Sequence, residues 1–167
     1  PVLHRGSAMH HLGVLPLTAV GHAAWALGVT RRVLDELKIA TSRTRMGAAT
    51  SVAESEHALI TIARLESQYR AGRAWIYEVC EQAEAECQAS GTFLGEATAA
   101  LVRQACVHVN QTGAAVARDA YLLAGTVALR DGAMQRCFRD LHAGAQHFFA
   151  SNAASIEWAR LHLNQES

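Results

Sequence analysis

An all-α, antiparallel up-down helical bundle is the fold that this 167-residue chain predicts. Three observations carry that expectation. Proline occurs only at Pro1 and Pro16, so nothing further along removes a helix donor. Apolar residues recur at spacings of three and four over long stretches, and strand-like alternation is absent. Glycines fall at Gly47, Gly91 and Gly132, where such stretches can stop.

The first long helix is expected from Pro16, whose missing N–H costs nothing in a first turn, to about Met46. Arg43 and Arg45 then sit in the last turn, where cations favour the dipole, and Gly47 takes the left-handed stop. Ser51-Val52-Ala53-Glu54 has the capping-box spacing. Behind it Leu59, Ile62, Leu65, Tyr69, Gly72, Ile76, Val79 and Ala83 form one apolar stripe that ends at Ser90-Gly91. Thr92 is placed to cap a third helix, in which Leu94, Ala97, Leu101, Ala105, Val109, Thr112, Val116, Ala120, Leu123 and Val127 repeat the pattern towards Gly132. Each helix would span about 45–60 Å at ~1.5 Å per residue, and short loops between such helices impose antiparallel neighbours. A shorter helix over Met134–Ala143 and a last one over Ser151–Leu163 complete the bundle. No motif recurs between the long helices, so a repeat protein is not the reading.

Half the residues are hydrophobic, 6% are aromatic and the formal net charge is zero, which disfavours both a nucleic-acid surface and disorder. Cys80, Cys87, Cys106 and Cys137 show no CxxC spacing and read as reduced, mostly buried thiols of a cytoplasmic protein. Leu12–Val29 is uncharged if His22 is neutral, but it is barely long enough to span a bilayer. It also holds Pro16, three glycines and His22, so a bundle helix with no membrane partner is expected. No signal peptide is visible, and the start at Pro1 suggests a fragment.

Nine histidines invite a metal reading. There is no HExxH, and Glu54 to His57 is a single Glu-x-x-His without a partner motif, so no metal is expected. The C-terminal stretch Arg136-Cys137-Phe138-Arg139-Asp140-Leu141-His142, with His147 following, concentrates charge and imidazole. One reading makes Arg139 and Asp140 ordinary ion-pair formers and the histidines surface or satisfied core residues. The other sets His147 in a cleft at the bundle end, where it could exchange a proton near neutral pH. The residues by themselves leave both open.

Several stretches resemble, in order and at matching spacing, the C-terminal helical domain of the acyl-CoA dehydrogenase superfamily. They are Gly28-Val29-Thr30-Arg31-Arg32-Val33-Leu34-Asp35-Glu36-Leu37, Arg43-Thr44-Arg45-Met46-Gly47, and Ala71-Gly72-Arg73-Ala74-Trp75-Ile76-Tyr77-Glu78. Tyr121-Leu122-Leu123-Ala124-Gly125 and the Arg136–His142 stretch complete the set.

The resemblance implies a three-domain flavoprotein of which residues 1–167 are the C-terminal bundle, with a helical N-terminal domain and a β-domain missing from this chain. It implies FAD (or FMN), bound in the reduced form between bundle and β-domain, and self-association into a dimer or tetramer. Arg43 would meet the flavin pyrophosphate, often of a neighbouring subunit, as an arginine fork suits. Gly125 and Arg139 would lie at the cofactor, and His147 would be the catalytic residue.

The departures are informative. Dehydrogenases of this family carry a catalytic glutamate just after the Arg-Asp pair, but here that place reads Ala145-Gln146-His147-Phe148-Phe149. Leu122 stands where the glutamine of the flavin motif is usual, and Thr126 follows Gly125. Both changes resemble the two-component, reduced-flavin-dependent monooxygenases, in which a histidine at the place of His147 assists oxygen chemistry and a separate flavin reductase is a partner. Phe148 and Phe149 would help keep such a pocket dry. The alternatives are an acyl-CoA dehydrogenase acting on CH–CH groups, or an isolated oligomerisation module without activity.

Overall fold

The structure, a computed structural model, describes residues 8–44 and 50–164. A short α1 (Ala8–His11) precedes α2 (Val14–Thr41), α3 (Glu56–Ser90), α4 (Glu96–Ala124), α5 (Ala133–Gly144) and α6 (Asn152–Asn164). Single 3-10 turns occur at Val52–Glu54, Gly125–Leu129 and Phe148–Ala150. Among the described residues the only strand-like pairing is the isolated antiparallel bridge Thr44–Ser51. The expected helical bundle is the fold.

Pro16 occupies the first turn of α2, as its ring requires. Ala19, Ala23, Ala26, Thr30, Val33, Leu37 and Ala40 make the buried face, small residues first and branched ones later. The helix ends at Thr41, five residues before the expected Met46; Arg45, Met46 and Gly47 lie outside the described residues. Thr41 Oγ1 donates back to Leu37 O (2.9 Å) and Ser42 Oγ to Ile39 O (2.9 Å). Side chains of this kind compete with the helix ladder and favour an end there. Arg43 is therefore beyond the helix, not in its last turn.

The capping box forms, with Ser51 N–H donating to Glu54 Oε1 (3.2 Å), but it closes the 3-10 turn Val52–Glu54. Ser55 is the true cap of α3, its Oγ accepting from Ala58 N–H (3.2 Å). The stripe of α3 is buried or half-buried as expected except at its start, where Leu59 is exposed. Gly91 ends the helix at φ 62°, the left-handed conformation that glycine adopts without strain. Thr92 does not cap α4. The helix starts at Glu96 after Gly95, whose N–H is taken by Glu86 Oε1 (2.8 Å).

Because α4 is the central helix, it is buried on more than one face, with Ala100, Val102, Ala105, Cys106, Val107, Val109, Val116, Ala117 and Ala120 all enclosed. It ends at Ala124, short of Val127, because Gly125 takes φ 64°, ψ −143° and turns the chain into a 3-10 segment. Three legs then alternate in direction. The fourth is broken: α5 passes Gly113 with Leu141 and reaches Trp25 at Gly144, and α6 continues along α4, where Arg103 pairs with Glu157.

Candidate functional site

The break in the fourth leg, between Gly144 and Asn152, sets the position of His147. The last turn of α5 leaves carbonyls without helical partners, as any helix end does. Gly144 O accepts from the backbone N–H of His147 (3.0 Å) and also from His22 Nε2–H (3.1 Å), a carbonyl being able only to accept. A single acceptor thus ties the main chain at His147 to a side chain of α2.

The rings follow the same tie. His22 stacks on His147, centroids 4.8 Å apart at 29°. His147 is in turn stacked with Phe149 (5.2 Å, 28°), and His22 lies against Trp25 (5.2 Å, 31°). His147 Nδ1 accepts from Phe149 N–H at 3.4 Å, a long bond that nonetheless caps the 3-10 turn. With Nδ1 an acceptor, the proton of the neutral ring resides on Nε2. The ring is exposed, so that N–H is available to a partner outside the chain. His147 sits on the side of the bundle at this break, not at the bundle end.

Arg139, on α5, and its neighbour Asp140 are exposed, and neither forms an ion pair among the described residues, so the ordinary ion-pair reading does not hold for them. Arg43 is likewise exposed and without an ion pair among the described residues. Gly125 marks the end of α4, at the same end of the bundle as Arg43. His147 belongs to a different level. It sits beside His22, some twenty residues below Arg43, or about 30 Å at ~1.5 Å per residue. The expected residues therefore form two places: Arg43 and Gly125 at one end, His147 at the flank, and Arg139 on α5 leading to it.

A second ring series, Tyr121 to Phe138 (4.5 Å) and Phe138 to His142 (4.2 Å), fills the inner side of α5. His142 Nδ1–H donates to Phe138 O (2.8 Å), which makes it a satisfied helix residue. Cys137, on the same helix, has its thiol pushed up by burial and then by Asp140. Among the described residues no group of three or more His, Cys, Asp or Glu is placed to hold a metal, and no helix is long and apolar enough to cross a membrane. A cleft of about 530 Å³ lies between the start of α3 and the end of α4, lined by Val52, His57, Thr61, Arg64 and Leu122 among others.

His22 and Trp25 were not read as site residues from the sequence. Both stand in the uncharged first half of α2, with no motif around them, and only the return of α5 past α2 brings them to His147.

The geometry has clear relatives. The family model for the acyl-CoA dehydrogenase C-terminal domain matches residues 20–152. Indole-3-acetate monooxygenase of Pseudomonas putida is 31% identical over 125 residues, 74% of this chain but only 32% of that protein. The chain thus spans about a third of the length of the curated relative it matches. XiaF from Streptomyces sp., solved in complex with FADH2 and glycerol, superimposes with a TM-score of 0.78 at 13% identity, covering 87% of this chain and 37% of that one. The 3-HSA hydroxylase from Rhodococcus sp. RHA1 does so with a TM-score of 0.70 at 16% identity, covering 90% and 38%. At these identities the solved structures speak for the fold, while the family model spans most of the chain: it belongs to the acyl-CoA dehydrogenase C-terminal domain family.

Proposed function

We propose that this chain is the C-terminal bundle of a two-component, reduced-flavin-dependent monooxygenase, with His147 as the residue that handles the proton at the flavin. The observation that carries the reading is the exposed His147 ring, held between His22 and Phe149 where dehydrogenases of the family have a carboxylate. The 31% identity to indole-3-acetate monooxygenase points the same way.

The residues fit a flavin. Arg43 and Arg139 are exposed guanidinium groups without an ion pair among the described residues, suited to phosphate and to a polarised ring edge. Gly125 turns the main chain at the end that Arg43 shares. A bound reduced flavin supplies the electrons that activate O₂. His147 contributes one proton donor at Nε2, held by its stack and by the Phe149 N–H on its other nitrogen. Phe148, which is 59% exposed, and Phe149 offer apolar rings that exclude water once a further domain closes over them.

The missing N-terminal and β domains, a second copy of the chain and a flavin reductase are the partners of this reading. Exposed Leu122 and Leu129 at one end and Val14 and Leu15 at the other support such covering. Four unpaired thiols support a cytoplasmic setting.

The test uses the full-length protein, reduced, supplied with substrate and ¹⁸O-labelled O₂, reading labelled product against released hydrogen peroxide. His147→Ala is expected to lower product per peroxide by about ten-fold or more. An unchanged ratio rejects the role of His147. Absence of any labelled product, with turnover of an acyl-CoA under anaerobic conditions, establishes the dehydrogenase instead.

A further inference from the structure

We infer that His22 is the positioning residue for His147: its ring is the platform on which the His147 ring is set. The inference rests on the proton-handling role given to His147 above, and it adds a residue from a different helix.

Three contacts make the platform. The His22 ring is anchored, not free, because Nε2–H donates to Gly144 O at 3.1 Å. The same carbonyl accepts the backbone N–H of His147 at 3.0 Å, so ring and main chain are referenced to one oxygen. The two imidazoles then stack at 4.8 Å and 29°. His22 also lies against Trp25, which itself fills the space left by the missing side chain of Gly144. The His147 ring by itself has one long hydrogen bond to hold it, from Phe149 N–H to Nδ1, and it stands exposed at the cap of a three-residue turn. A proton donor on so short a turn keeps a productive direction only if something rigid lies against its face, and α2 is the rigid element. Phe149, the other neighbour, belongs to the same short turn as the His147 main chain, so His22 is the ring contact that comes from a different element.

The experiment follows deuterium exchange at the imidazole C2–H of His147 by mass spectrometry, in full-length protein carrying His22→Ala, His22→Phe or His22→Gln. This readout needs neither substrate nor turnover. Removing the platform bares one face of the His147 ring, so exchange is expected to rise about three-fold in His22→Ala and His22→Gln and to stay near the parent in His22→Phe. The product-to-peroxide ratio is expected to fall about ten-fold to a hundred-fold in the first two variants and to be largely restored by phenylalanine.

Unchanged exchange in His22→Ala, or a phenylalanine variant no better than alanine in exchange, overturns the inference. Changed exchange with an unchanged product ratio leaves His22 as the platform and removes the monooxygenase role of His147. The two readings therefore fail separately.

Discussion

The Trp25 ring occupies the space that a Cβ on residue 144 would fill. Gly144 is the last residue of α5, and its carbonyl carries the bonds to His22 and to His147. A methyl group there would drive into Cζ3 and Cη2 of a ring already packed on His22. Gly144→Ala is expected to push the Trp25 ring outward, which its 38% exposure allows, at a cost of about 1 kcal/mol read as a lowered midpoint in denaturant. Because the strain falls on Trp25, the tryptophan emission should shift as well. An unchanged midpoint and spectrum would mean that the α5–α2 contact is looser than its geometry.

Gly113 and Gly28 give opposite expectations from the same substitution. A Cβ on Gly113 would lie 2.7 Å from Thr30 Oγ1 and 3.3 Å from Leu141 Cδ2. Thr30 cannot easily yield, because it is buried and its hydroxyl is bonded to Ala26 O at 2.7 Å. Gly113→Ala should cost about 1–3 kcal/mol. Gly28 has nothing within 4 Å and lies inside α2, so Gly28→Ala should add about 0.5–1 kcal/mol by removing backbone freedom from the unfolded chain. Thermal unfolding of the two variants side by side checks both signs.

What the sequence showed and what it hid can be told from particular residues. Ser90-Gly91 was readable because the signal is local: only glycine takes φ 62° freely, and it took it. The helices of the fourth leg were placed within a residue or so, Ala133–Gly144 and Asn152–Asn164 against Met134–Ala143 and Ser151–Leu163. The end of α4 was misplaced because apolar spacing continues through Val127, whereas Gly125 at φ 64° breaks the helix whatever the spacing. Ser51-x-x-Glu54 was a true capping box on the wrong element, since Ser55 stood one turn later and took the helix itself. His22 was hidden for a different reason. Its partner is 125 positions away, and a lone histidine on an apolar face carries no sign of what will return to it.

The Cys106 thiol is fully enclosed and is pushed up to about 12, first by burial and then by Cys80. In the unfolded chain it titrates near the ordinary 9.0. A raised acid favours its neutral form in the fold, so its contribution to stability is fully present below pH 9 and is lost as pH rises towards about 12. Native protein with iodoacetamide at pH 8, followed by peptide mapping, should show Cys106 the slowest of the four cysteines. Labelling of Cys106 as fast as that of half-buried Cys137 would mean that the bundle opens at α4 more readily than its burial implies.

Arg43 and His147 lie about 30 Å apart along the bundle, beyond what one bound flavin joins through its pyrophosphate and ring within one subunit. If both act on flavin, each subunit lends its Arg43 to a neighbour's site. In the full-length protein, Arg43→Ala should weaken flavin binding by about ten-fold, the loss of one charge-assisted contact, with the product-to-peroxide ratio of bound enzyme unchanged. His147→Ala should do the reverse. Mixing the two variants, at a flavin concentration too low to fill the Arg43→Ala site, is the decisive version. In a mixed dimer, one site takes a sound His147 from the first chain and a sound Arg43 from the second, while the other site takes neither. Random re-association then restores about a quarter of the sites, because half the dimers are mixed and half their sites are whole. Were Arg43 and His147 to serve the same subunit's flavin, every site in the mixture would keep one defect and no activity would return.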